Sequence, residues 1–186
     1  MLIFEIFKKS MGIYKSTILI RSALWFIALV FILFLLIPEK SLPAGSTIDQ
    51  LVVWKSKREL VAYSNGEVIK TYRISLGRKP VGAKKFEGDC KTPEGLYYII
   101  DKNPNSVCHK NLGISYPNKR DKTNAQKVGK STGGDIKIHG LRNNFEMVGK
   151  LHRWFDWTAG CIAVTNKEMD ELYQKVSIGT PIEINP

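Results

Sequence analysis

Between Ser22 and Ile37 the chain runs for sixteen residues with one polar side chain, Ser22 itself. No water-soluble domain of ordinary size exposes such a run, so it either leaves water or is removed. Carried back across Arg21 to Thr17 it reaches about 21 residues, enough to cross a bilayer core at 1.5 Å per residue. Lys8, Lys9, Lys15 and Arg21 lie on or before the run, whereas Glu39 and Lys40 follow it. The excess of cations places the N-terminus on the cytoplasmic side. We therefore expect residues 1–15 as a cytoplasmic N-terminus, 16–37 as a transmembrane signal anchor, 38–48 as a linker and 49–186 as one folded extracytoplasmic domain. A cleaved signal peptide is the alternative, but Leu42-Pro43-Ala44-Gly45-Ser46 is a weak cleavage site and the leader is long.

The remaining stretch is about one domain in size, and its patterning is that of β-structure. Leu51 to Trp54 and Glu59 to Tyr63 read as strands, Asn65-Gly66 as a tight turn, and Glu67 to Ile74 as the returning strand. Leu96 to Ile100, Asp135 to Gly140 and Cys161 to Val164 are further β-runs, and Gly179 to Ile184 closes the chain. One helix is expected. Thr165 and Glu168 form a capping box, followed by Met169, Leu172, Tyr173 and Val176 at helical spacing. Gly77 to Gly95 reads as a loop forming one wall of a site, and Asn103 to Gly134 as a long cover over a cleft. The expected fold is mainly β, a mixed sandwich or barrel-like domain with few helices.

Chemistry concentrates near the end of the chain. Trp157-Thr158-Ala159-Gly160-Cys161 brings a cysteine to the head of a β-run through a small-residue approach, where bare amides could serve an oxyanion. His139, followed by Gly140, ends another strand. A thiol and an imidazole on neighbouring strands are the minimum for thiol catalysis, the imidazole lowering the thiol pKa and shuttling the proton. A buried core thiol and a satisfied core histidine are the structural alternatives. His109 and His152 are alternative histidines; His152, nine residues before Cys161, could line the cleft, although a surface role is expected for it. Of three cysteines, a Cys90–Cys108 disulfide would leave Cys161 free. Nothing has the spacing of a metal site, and no cofactor is indicated.

His139-Gly140, the 18 residues separating His139 from Thr158, and Thr158-Ala159-Gly160-Cys161 together resemble the signature of L,D-transpeptidase catalytic domains, the YkuD type. Gly88-Asp89-Cys90-Lys91-Thr92-Pro93-Glu94-Gly95 resembles a second family segment, and Leu112-Gly113-Ile114-Ser115-Tyr116-Pro117 an element of one branch. The resemblance covers roughly residues 50 to 185. Two positions depart from it: the usual His before Gly-Cys is Ala159, and the usual Arg or Asn two places after the Cys is Ala163.

The resemblance implies a β-rich catalytic fold and a cysteine enzyme acting on peptidoglycan stem peptides. It implies Cys161 as nucleophile, His139 as base oriented by the Gly140 carbonyl, and amides of Ala159, Gly160 and Cys161 around an oxyanion. Arg142, Trp157, Thr158 and Tyr116 are candidate substrate contacts. The expected reaction transfers a stem peptide from a thioester to an amine, cross-linking the wall. Hydrolysis of the same thioester, as in an L,D-carboxypeptidase or amidase, and a non-catalytic wall-binding module are the alternatives. The net charge of +11, of which +8 lies beyond residue 45, favours anionic partners such as wall polymers or a membrane face. No nucleic-acid motif accompanies it.

Overall fold

The computed structural model describes residues 19–34, 37 and 41–186. They belong to two compact units, Met1–Ser41 and Leu42–Pro186. In the first, a helix (α1) covers residues 19–34. Among the described residues no helix is long and apolar enough to cross a membrane. The expected span of 16–37 is thus not observed, and residues 16–18 and 35–36, which it needs, lie outside those described, as does the expected N-terminus 1–15.

The second unit is built on one eight-stranded sheet in the order β3-β2-β1-β8-β4-β5-β6-β7. Its strands are β1 (Gln50–Trp54), β2 (Glu59–Ser64), β3 (Glu67–Arg73), β4 (Gly95–Ser106), β5 (His109–Ile114), β6 (Lys137–His139), β7 (Ile162–Ala163) and β8 (Pro181–Asn185). Asn65 and Gly66, with φ of 52° and 79°, make the β2–β3 turn that their residue types favour. The long β4 pairs β8 with its first half and β5 with its second, and its register shifts between Ile99 and Asp101. Such an irregularity bends a strand, and here it turns the sheet from one half to the other. The result is a half-barrel rather than a two-sheet sandwich, a mainly β domain as expected.

The curled sheet nearly closes on itself. Ser75, just beyond β3 at one edge, bridges Ala163 of β7 at the other, with amide-to-carbonyl distances of 3.0 and 2.8 Å. Gly77 bridges Thr158 in the same seam. The core inside contains Leu51, Val53, Leu60, Tyr97, Leu112, Ile138, Ile162 and Ile182. Helix α3 (Asn166–Lys175) is capped by Thr165 and Glu168 and buries Met169 and Leu172.

The stretch expected as a cleft cover is mostly regular structure. Residues 103–134 contain the end of β4, all of β5, and helix α2 (Lys119–Lys127). Helix α2 buries only Asp121 and Ala125, so it has no apolar stripe to announce it.

Strand β8 lies centrally, and Ile182, facing Leu51 and Tyr97 across its two neighbours, is fully buried. Replacing Ile182→Ala is expected to lower stability by about 2–5 kcal/mol. Denaturant titration should show a lower midpoint at unchanged slope.

Candidate active site

Strands β6 and β7 are parallel neighbours, with Ile138 opposite Ile162 and His139 opposite Ala163. Alternation then sends Ile138 and Ile162 into the core, both fully buried. His139 lies opposite Ala163, which carries only a methyl group, and Cys161 directly precedes β7. The register thus brings the histidine level with the second residue after the cysteine.

The imidazole is fixed in one tautomer. Its Nδ1 lies 2.7 Å from the Gly140 carbonyl oxygen, which can only accept, so Nδ1 carries the proton and Nε2 keeps its lone pair. Trp157 meets the ring edge-to-face at 5.5 Å between centroids and 73° between planes. Gly140 is itself confined: a Cβ there would lie 2.7 Å from Asn166 Oδ1 and 2.9 Å from His109 Cβ. Asn166 Oδ1 also accepts the Leu141 amide at 2.7 Å, pinning the chain just after the histidine. Asn166 escaped the sequence reading because it looks like an ordinary first residue of a helix.

The cysteine loop is held by Thr158. Its buried hydroxyl accepts the Gly160 amide at 3.0 Å and donates to the Cys161 carbonyl at 2.8 Å. Thr158 therefore braces the loop from within. The Gly160 amide is thereby engaged, and the expected trio of free amides reduces to Ala159, which is exposed, and Cys161. Gly160 has φ of +137°, and a Cβ there would meet the Lys91 carbonyl oxygen at 2.6 Å. Glycine is obligatory at that point on both counts.

Electrostatics correct one expectation. Burial pushes the Cys161 thiol above its ordinary value, an effect that the Lys137 amide directed at the sulfur opposes. Burial equally drives the His139 imidazole below its usual value, against the pull of the Gly140 carbonyl and with Lys137 nearby adding to the depression. Both shifts favour the uncharged forms, so burial works against the lowered thiol expected from sequence. All three cysteines are free, so the Cys90–Cys108 bridge is absent.

The remaining candidates divide. Arg142 and Trp157 line an apolar cavity of about 470 Å³ together with Leu141, Phe145, His152 and Phe155. Tyr116 is instead 5% exposed, lies tilted against Tyr97 at 6.1 Å between centroids, and donates its hydroxyl to the Thr132 carbonyl, so it packs in the core. His152 is not on the surface. It lies on the 3-10 helix Glu146–Trp154, buried, with Nδ1 3.1 Å from Ser75 Oγ. Its Nε2 has no hydrogen-bond partner among the described residues. Burial, then Arg153 and His139, hold His152 down at about 4. Nothing in the 140–160 insert's sequence marks this histidine as internal. Among the described residues no group of side chains could hold a metal ion.

A depressed histidine stabilises the folded state fully above its unfolded value near 6.5, and that contribution is lost as pH falls toward about 4. Stability should thus decline between pH 6.5 and 4, and His152→Leu should flatten that slope in denaturant midpoints measured across the range.

With this geometry in view, known proteins supply the context. The YkuD model, described as the L,D-transpeptidase catalytic domain, matches residues 49–184. The Escherichia coli (strain K12) protein "Putative L,D-transpeptidase YafK" is 28% identical over 132 residues, 67% of this chain and 46% of that protein. The crystal structure of the helical cell shape determining protein Pgp2 from Campylobacter jejuni superposes with a TM-score of 0.57 at 27% identity, covering 78% of this chain and 50% of that one. Bd1075 of Bdellovibrio bacteriovorus shares the fold at a TM-score of 0.53 and 24% identity, covering 78% and 52%. The chain spans about half the length of these relatives.

Proposed function

The chain belongs to the YkuD family of L,D-transpeptidase catalytic domains, and we propose from that premise that it is a cysteine acyltransferase acting on peptidoglycan stem peptides. The observation that supports this reading is the pairing of β6 with β7, which brings His139 level with Ala163, two residues after Cys161, with Nδ1 of the histidine bound to the Gly140 carbonyl.

In this mechanism Cys161 Sγ attacks the carbonyl carbon between a diamino-acid residue and the terminal D-alanine. His139 Nε2 takes the thiol proton as the S–C bond forms, because neither group is charged beforehand. Amides of Cys161 and Ala159 face the oxyanion, each such donor contributing about 3 kcal/mol to the transition state. The protonated imidazole then gives its proton to the departing amine, D-alanine leaves, and a thioester remains. A side-chain amine of a second stem attacks the thioester and yields its proton to His139, which returns one to sulfur. The product is an amide cross-link between stems. Arg142 stands at the cavity mouth as a partner for a stem carboxylate.

An extracytoplasmic location is part of the same reading, with residues 16–37 as the anchor. Its support is the sequence pattern and the character of α1, which exposes Leu24, Trp25 and Phe26 by 60, 78 and 67% and so has no polar face.

Incubation with a tetrapeptide muropeptide tests the reading. Mass spectrometry should find an adduct on Cys161 with loss of one alanine, then dimers lacking one terminal alanine. Trimmed monomers alone would make the enzyme a hydrolase, and no adduct would refute catalysis. Cys161→Ala should abolish turnover, and His139→Gln should lower it about 10²–10⁴-fold. Because burial lowers the His139 pKa, the acid limb of kcat/KM should fall below pH 6.5.

A further inference from the structure

The excess positive charge of the folded unit is not spread evenly. Residues 77–91 and 119–137 hold eleven Lys/Arg against four Asp/Glu, a net of +7. Everything else from residue 46 onward holds twelve against eleven. Within the two segments three of the four carboxylates are already engaged. Asp89 is buried against Lys84 at 2.9 Å, Asp121 is buried against Tyr97 at 3.0 Å, and Asp135 pairs Lys137 at 2.7 Å. Glu87 is the one exposed carboxylate left. Eight cations remain exposed: Arg78, Lys79 and Lys85 in the first segment, and five more from Lys119 to Lys130 in the second.

The two segments form one surface beside the cysteine loop. The Glu87 amide donates to the Ser131 carbonyl at 2.8 Å, and Lys130 sits 3.9 Å over the Phe86 ring. The Arg78 amide donates to the Thr158 carbonyl at 3.0 Å. The Lys91 carbonyl abuts Gly160, and Asp135 offers its carbonyl to Cys161 Sγ at 3.6 Å. The backbone that carries these eight exposed charges therefore runs up to the cysteine loop.

What such a surface fits follows from what it lacks. Phe86 is the one aromatic residue in the two segments, and Lys130 covers it, so unstacked bases find no platform. The exposed large apolar side chains there, Val81 and Val128, are a poor foothold in a bilayer. Six of the eight exposed cations are Lys, compact point charges suited to spaced anions rather than to a fork-shaped grip on one phosphate.

We propose that this face binds the substrate as a polymer, holding the carboxylates of several neighbouring stem peptides while one of them enters the Cys161 site. The proposal rests on the function given above and adds to it that polymeric, polycarboxylate substrate is preferred over isolated peptide. Charge of one sign beside a site raises local substrate concentration and association rate, and salt removes the effect.

The test uses the full chain carrying Cys161→Ala, which cannot turn over, and sedimentation with purified wall sacculi across NaCl concentrations. Binding should weaken steadily with salt. The variant K85Q/K119Q/K122Q should bind about tenfold less tightly, whereas K57Q/K167Q/K175Q, with the same charge loss elsewhere, should not. On the Cys161 background, the first variant should keep its turnover of an isolated muropeptide and lose it on sacculi. Polyglutamate should compete, and more effectively than a glycerol-phosphate polymer, duplex DNA or anionic vesicles. Equal weakening in both variants, no salt dependence, or tighter capture by phosphate polymer, DNA or vesicles would overturn the proposal. Failure of Cys161 to acylate would overturn the function instead and leave this binding result readable by itself.

Discussion

Three backbone segments meet in this domain with no space for a single added carbon. A Cβ on Gly77 would stand 2.2 Å from the Cys90 carbonyl oxygen and 3.1 Å from the Gly160 Cα, and a Cβ on Gly160 would stand 2.6 Å from the Lys91 carbonyl oxygen. Interiors are packed close to crystal density, so contacts this near are not relieved by relaxation of a side chain. They force the strand extension after β3, the Gly88–Gly95 segment and the cysteine loop into one arrangement. Behind that seam, buried Lys55 ties Gly82, Thr92 and Glu94 to β1, at 2.8, 3.1 and 2.7 Å. Burial lowers the pKa of that lysine while Glu94 supports its charge. The position of Cys161 is thus set by main chain, not by a mobile side-chain network.

In the proposed mechanism that rigidity lets a neutral pair serve as the starting state. A thiolate–imidazolium pair placed in this buried seam would have to be stabilised before any substrate arrived. Burial opposes both charges, raising the thiol and lowering the imidazole. What the fold provides instead is orientation. The Gly140 carbonyl fixes Nδ1, Trp157 limits the tilt of the ring, and Thr158 braces the loop that presents sulfur. In the proposed mechanism the charge appears only when a substrate carbonyl can receive it, which also shields the thiol from adventitious alkylation.

Much of this was legible in residue order, and what was not has identifiable physical reasons. Strands β1 to β3 announced themselves because Asn65-Gly66 favours one turn and the flanking runs alternate. Helix α3 was readable from its capping box and apolar stripe together. Cys161 and His139 could be named as candidates from the strand ends, but the small residue opposite the imidazole, Ala163, acquires meaning only from the register. Helix α2 was invisible because its sequence, Lys-Arg-Asp-Lys-Thr-Asn-Ala-Gln-Lys, buries two residues and has no periodic apolar face. Whether Cys90 and Cys108 pair was not readable, because cysteine counting carries no distance. His152 failed because a kinked 3-10 segment, with Gly149 at φ of 46°, carries no period from which burial could be read.

The division of labour between seam and insert follows from these facts. Position 159, where the resemblance would place a second imidazole, holds an exposed alanine, so the approach to sulfur is open on that side. The residues between His139 and Cys161 instead send their bulk to the other flank. There Leu141, Phe145, Phe155 and Trp157 wall a cavity with Arg142 at its rim and His152 in its lining. Trp157 belongs to both, touching the imidazole with one edge and lining the cavity. An occupant of the cavity that displaced this ring would disturb the base as well. Apart from Trp157, changes at the cavity-lining residues of the insert leave the strands β6 and β7 untouched. Changes at Gly77, Gly140 or Gly160 cannot avoid them.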